Sequence, residues 1–274
     1  MPTFQGNPFS GFFKRILQIG RSGNNGVALA TYNVQSGDGV ATSISLAHDV
    51  LQVQPQSNNT TGAMTVKTLG GDNIFAVDTL NTKVLVGASQ VSVNTQYAYF
   101  GVNGSTSGSS SFAANTHYPL AFNFGGWDAG LGGGFLPAFG TGTDPATSHT
   151  TADANSDRGA ELVPVMWRVP DDITIDEIKH LEGADNATGD TTRMHLMSYT
   201  FSSGSTSALS SGVVVANTSA DNTNAGSEQA YLKDWTILED AADVDAGKVL
   251  LCFFRSDSNS SDYSVSVTIK YHLT

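Results

Sequence analysis

The 274-residue sequence predicts an all-β protein, on three observations. Ser (30), Thr (28), Asn (18) and Gly (29) far outnumber the 38 charged residues, and these types disfavour helix interiors while suiting turns and pleated surfaces. Short alternating apolar runs recur at about ten-residue spacing between clusters of Gly, Asn, Asp and Ser. Near the C-terminus, Tyr263, Val265, Val267, Ile269, Tyr271 and Leu273 alternate strictly with other residues, as on the inner face of a half-buried strand.

Residues 1–26 read as a docking arm. They carry much aromatic surface, their only charges are Lys14, Arg15 and Arg21, and early Gly and Pro break regular structure. So short a segment cannot bury that surface on itself. Phe4, Phe9, Phe12, Phe13, Lys14, Arg15 and Ile16 are the candidate contacts with a partner protein, the alternative being a tail that lies on its own domain.

Residues 27–102 read as a β region of short strands, including Val40 to Leu46, Met64 to Lys67, Ile74 to Val77, Lys83 to Val86 and Tyr97 to Phe100. Turn clusters such as Gly70-Gly71-Asp72-Asn73 and Asp78-Thr79-Leu80-Asn81 separate them. Strands this short and thinly apolar are marginal alone. Three copies wound about one axis would complete one another's sheets, so a homotrimeric β-prism or shaft is expected, with Phe75, Val77, Val84 and Val86 in its core.

The polar stretch 103–111 reads as a flexible linker. Residues 112–274 follow as a β-sandwich of jelly-roll type, with a glycine-rich loop at 125–142 holding Trp127. Strands are expected at Leu162 to Val169, Ile173 to Leu181, Arg193 to Phe201, Gly212 to Ala216, Gln229 to Leu238, Lys248 to Arg255 and Tyr263 to Leu273. A helical turn is the alternative for Ile173 to His180. Cys252, the single cysteine, lies in an apolar run and is expected to be a buried, reduced thiol.

Charge narrows the partners. The net charge of −12 and a pI near 4.6 repel phosphate backbones and anionic headgroups, so neither nucleic acid nor membrane insertion is expected. The imbalance is local: residues 1–100 net +1 and residues 101–274 net −13. No apolar stretch approaches membrane-spanning length, and Lys14 and Arg15 follow the first aromatics, the reverse of a secretory signal. A soluble protein made in the cytoplasm is the expectation.

Chemistry is thinly signalled. The six histidines are scattered without metal-ligand spacing, although His180 and His195 fall on neighbouring expected strands and could meet. Asp153 to Glu161 has oxygen ligands at alternate positions, but Arg158 stands where an EF-hand needs glycine and Pro164 where it needs glutamate. There is no G-x-S-x-G elbow. No catalytic residue, metal or cofactor is assigned. For glycan contact the candidates are Trp127, Trp167, Trp235, Tyr118, Tyr199 and Tyr231, with Trp127 preferred because Trp167 and Trp235 lie within expected strands.

The segment Gly71-Asp72-Asn73-Ile74-Phe75-Ala76-Val77-Asp78-Thr79-Leu80-Asn81-Thr82-Lys83-Val84-Leu85-Val86-Gly87 resembles the "strand, V-D-T-x-N, strand, V-G" unit of bacteriophage fibre proteins. The run from Val169-Pro170-Asp171-Asp172-Ile173-Thr174-Ile175 through Tyr199 to Lys270-Tyr271-His272-Leu273 resembles the end of structural proteins encoded by marine phages. The resemblance implies a trimeric virion surface protein and carries no active-site residues. The chain is short for a long tail fibre, with neither a repeat array nor an obvious chaperone domain. Three readings stand. The first is a non-enzymatic homotrimeric fibre or spike, anchored to another virion protein by residues 1–26, that displays its sandwich to a host glycan or protein. The second is a capsid decoration protein, and the third a secreted carbohydrate-active enzyme.

Overall fold

The structure, a computed structural model, describes residues 18–19, 30–35, 40–87, 91–104, 113–123, 137–151, 158–185, 189–218, 222–223, 229–258 and 262–274. The all-β expectation holds: the described chain is strands and turns, with a short helical segment at 158–165 and a single 3-10 turn at Glu239–Ala241. It divides into two compact units, Met1–Val93 and Asn94–Thr274.

The first unit is two small antiparallel meanders. One contains β1 (Gln18–Ile19), β2 (Tyr32–Gln35), β3 (Ala41–Leu46) and β4 (Leu51–Val53); the other contains β5 (Met64–Lys67), β6 (Asn73–Asp78), β7 (Lys83–Val86) and β8 (Val91–Ser92). The Asp78-Thr79-Leu80-Asn81 cluster turns β6 into β7 because Asp78 caps it. One carboxylate oxygen accepts the Leu80 and Asn81 main-chain N–H groups at 3.0 and 2.9 Å, and the other accepts the Asn81 side-chain amide at 2.8 Å. That amide bond, with the main-chain donors, holds the Asp78 carboxyl below the usual carboxylate range. Among the described residues of this unit only Ser45, Ala47, Ala76 and Asp78 are buried.

The second unit is a two-sheet sandwich. Its first strand, β9 (Thr95–Gly104), pairs along its length with the C-terminal strand. Tyr97 to Phe100 therefore belong with the second unit, not with a region 27–102, and Asn103 and Gly104 are strand rather than linker. Residues 105–112 lie outside the described chain. Next come β10 (Tyr118–Pro119), β11 (Ala121–Phe122), α1 (Arg158–Leu162) and a 3-10 turn, Val163–Val165. These two helical pieces and the two-residue β12 (Trp167–Arg168) replace the strand expected over Leu162 to Val169. Pro164 has no N–H to give a ladder and sits at the start of the 3-10 turn, where none is needed.

The remaining strands are β13 (Ile173–Asp185), β14 (Thr191–Phe201), β15 (Leu209–Asn217), β16 (Asn222–Thr223), β17 (Gln229–Asp234), β18 (Thr236–Ile237), β19 (Asp243–Val244), β20 (Val249–Ser256) and β21 (Asp262–Leu273). One sheet runs β11-β9-β21-β13-β17, with β19 beside β13. The other runs β10-β20-β14-β15-β18, with β12 on β20 and β16 on β14. Ile173 to His180 are strand, not helix. Their helix-like spacing comes from a bulge between Ile175 and Glu177, which turns the inward series Ile173, Ile175 into Ile178, His180, Glu182 by one extra residue.

Two apolar clusters hold the sandwich, both built from residues of the second unit. The larger lies between the sheets. It contains Phe100, Ile178, Leu196, Cys252 and the expected inner series of β21, of which Tyr263, Val265, Val267 and Ile269 are at most 2% exposed. The smaller lies on the other side of β14 and β20, where Phe139, Leu162 and Val165 pack on Met197, Tyr199, Leu209, Leu251 and Phe253 of the sheet. The second sheet is thus covered on both faces, which is why Val249 to Phe254 is a continuous apolar run rather than an alternating one. Cys252 is free and fully buried, and burial pushes its thiol pKa up.

Candidate functional site

In the first unit the registers place Phe75 opposite Val86 and Val66, and Val77 opposite Val84 and Met64, with Val91 opposite Val86. Phe75, Val77, Val84 and Val86 therefore share one face of the second meander, extended by Met64, Val66 and Val91. None of the seven is buried, and Met64, Val66, Val86 and Val91 are 38–47% exposed. The first meander has the same character: Tyr32, Ile44, Leu46, Leu51 and Val53 fall on one face, and Leu51 is 67% exposed. The docking-arm residues Phe4, Phe9, Phe12, Phe13, Lys14, Arg15 and Ile16, and also Trp127, lie outside the described residues.

Among the described residues, nothing covers the outer side of the second unit's first sheet, where Tyr97, Tyr99, Leu181 and Leu232 are exposed. Across that side run Tyr97, Lys270 and Glu177; then Tyr99, Thr268, Lys179 and Asp234; then Ser266, Leu181 and Leu232. A depression of about 390 Å³ is lined by most of these side chains. Tyr97, Leu181 and Leu232 are 53–65% exposed. Lys179 is held by Glu177 at 2.7 Å and Asp234 at 3.5 Å, and the Glu177 hydrogen bond raises its pKa. Such a surface, two aromatic rings beside small polar residues and lysines, suits a polar ligand with an apolar side. Of the aromatic candidates from sequence, Trp167, Trp235, Tyr118 and Tyr199 are buried and Tyr231 is half-buried. Tyr97 and Tyr99, both exposed, are not among those candidates. Their signal is the alternation in Tyr97-Ala98-Tyr99-Phe100, which sends Ala98 and Phe100 inward and both tyrosines outward.

His180 and His195 are both buried but do not meet as the sequence leads one to expect. His180 is inside the sandwich: the Trp235 indole N–H donates to its Nδ1 at 2.7 Å, which leaves the ring proton on Nε2, facing Glu182 at 3.4 Å. The Thr192 hydroxyl, from the opposite sheet, donates to the same carboxylate at 2.9 Å. Here every polar group is satisfied from within, which marks a fixed internal brace rather than a reaction centre. His195 lies on the other side of its sheet, in edge contact with His117 at 5.0 Å between ring centres. Among the described residues no three histidine, cysteine or acidic side chains gather as a metal site would need. No helix of the described chain is long and apolar enough to cross a membrane. Compared with known proteins, the chain matches no family model and no curated protein.

Proposed function

We propose that the chain is a non-enzymatic structural protein of a virion surface, a homotrimeric fibre or spike whose first unit is completed by its own copies and whose sandwich contacts the host. The observation that supports it best is the contrast between the units: the sandwich closes two apolar cores, whereas the first unit buries no large apolar side chain among its described residues. A small unit with two open apolar faces is poorly stable alone and gains most from partners that add the missing layer. Self-association of three copies does this economically, because each copy offers the same two faces.

Placement on a bacteriophage rests on the resemblance of residues 71–87 and of the C-terminal run. The V-D-T-x-N segment is, in this fold, the Asp78-capped hairpin turn, a structural element with no reactive group. The outer face bearing Tyr97 and Tyr99 is the favoured contact for a host glycan or protein, and residues 1–26 the attachment to another virion protein. Capsid decoration is the alternative placement, with the same self-association. Deleting residues 1–17, which hold the docking candidates and leave β1 in place, tests the anchoring: particles should lack the protein while the isolated deletion variant keeps its sandwich, as seen by unchanged near-ultraviolet circular dichroism. Full occupancy on the particles would overturn it.

A further inference from the structure

The outer face of the sheet containing β14 and β20 is closed by the segment 137–149. Its main chain is stitched down by five bonds: Phe139 N–H to His117 O at 2.9 Å, His117 N–H to Gly140 O at 3.0 Å, His149 N–H to Leu209 O at 2.9 Å, Leu209 N–H to His149 O at 3.2 Å and Gly212 N–H to Thr147 O at 2.8 Å. The Tyr199 hydroxyl adds a bond to Ala146 O at 2.8 Å. Gly212 is needed for this seat, since a Cβ there would come within 2.8 Å of the Thr147 main chain and 2.6 Å of the Tyr199 ring.

Under this cover sit His117 and His195, both fully buried. The His117 Nδ1 faces Gly140 O at 3.3 Å and the His195 Nε2 faces the Asp144 carboxylate at 3.2 Å. A carbonyl and a carboxylate can only accept, so those two nitrogens carry the ring protons. The other nitrogens, His117 Nε2 and His195 Nδ1, are then bare lone pairs, enclosed and without a hydrogen-bond partner. The charged groups around the pair are Arg193 on β14, Arg255 on β20 and Asp144 on the cover, so two cations and one anion face the rings. Arg193 and Arg255 are directly opposite one another across the strand pair.

We propose that this histidine pair is an acid-released latch: protonation of His117 Nε2 and His195 Nδ1 frees the segment 137–149 from the sheet and uncovers the apolar surface of Phe139, Tyr199, Leu251 and Phe253. Each proton creates a buried N–H with no acceptor, and the second places two cations in ring contact beside two arginines. Asp144, 54% exposed on its side chain, offsets only part of that charge. Burial, above all, holds both rings neutral, down to about pH 4, against an ordinary value near 6.5. Because the latched form binds protons less readily than the open one, the latch is at full strength above about pH 6.5 and weakens as pH falls toward 4. The inference needs neither a trimer nor a virion.

Hydrogen exchange on the full-length protein between pH 7.5 and 4.5, corrected for intrinsic rates, tests it. Protection of the Phe139, Ala146 and His149 amides should fall by on the order of 10³-fold, the product of two linked titrations, while β21 amides from Val265 to Ile269 stay protected. In a His117→Gln, His195→Gln double variant, which keeps a donor at each position and cannot titrate, the fall should shrink to under about tenfold by the same linkage. If that variant does not fold, the ring carbon shifts of the unaltered chain decide: His117 and His195 should titrate below pH 5. Titration at or above pH 6.5, loss of cover and β21 protection together, or an unchanged acid response in the double variant would each overturn the latch.

Discussion

Glu182 lies on β13 of one sheet and takes its hydrogen bond from Thr192 on β14 of the other, so a single carboxylate ties the two layers in register. With His180 and Trp235 it forms a chain of donors and acceptors in which each group has a partner. Removing the carboxylate leaves the Thr192 hydroxyl and the His180 N–H without acceptors in an apolar interior. Glu182→Ala should therefore cost roughly 3–5 kcal/mol in urea unfolding, against about 1–2 kcal/mol for Glu182→Gln, which keeps an acceptor oxygen. Equal losses for both would mean that the cost is lost volume rather than lost hydrogen bonds. Asp78 plays the local counterpart, closing a turn rather than a core.

The β6–β7 hairpin carries the argument for self-association. It has good turn chemistry and regular alternation, yet the side chains that alternation gathers are not closed over: among the described residues Phe75, Val77 and Val84 are only half-buried and Val86 is exposed. If the proposed trimer meets through this face, replacing Val84 and Val86 with Asp should dissociate it to monomers in sedimentation, because each carboxylate would be buried unpaired there. An assembly of unchanged mass would place the contact elsewhere. Strands of this kind were legible in the sequence wherever one face is buried and the other is not: β21 runs Asp262–Leu273 where alternation gives Tyr263 to Leu273. Legibility failed where another rule took over. Pro164 fits the 3-10 turn that follows α1, and the bulge after Ile175 imitates helical spacing. His117 and His195 are far apart in sequence and meet only because β10 and β14 both flank β20. No local pattern could have announced that pair, nor Asp144 beside it.

At the scale of the whole molecule, the two units meet the cost of ordering a chain in different ways. The sandwich does so with its own side chains, burying strands on both faces and adding a cover over the second sheet. The first unit leaves Ile44, Leu51, Met64, Val66 and Val91 at least 41% exposed, surface that folding alone does not remove from water. The acidic charge follows the same division: residues 101–274 carry a net −13, while residues 1–100 are close to neutral, so copies can approach through the first unit with little repulsion. The absolute mass of the purified full-length protein by light scattering is the most direct test of this account. It predicts a species of three times 28.7 kDa that persists on dilution. A stable 28.7 kDa monomer with a cooperatively folded first unit would contradict it.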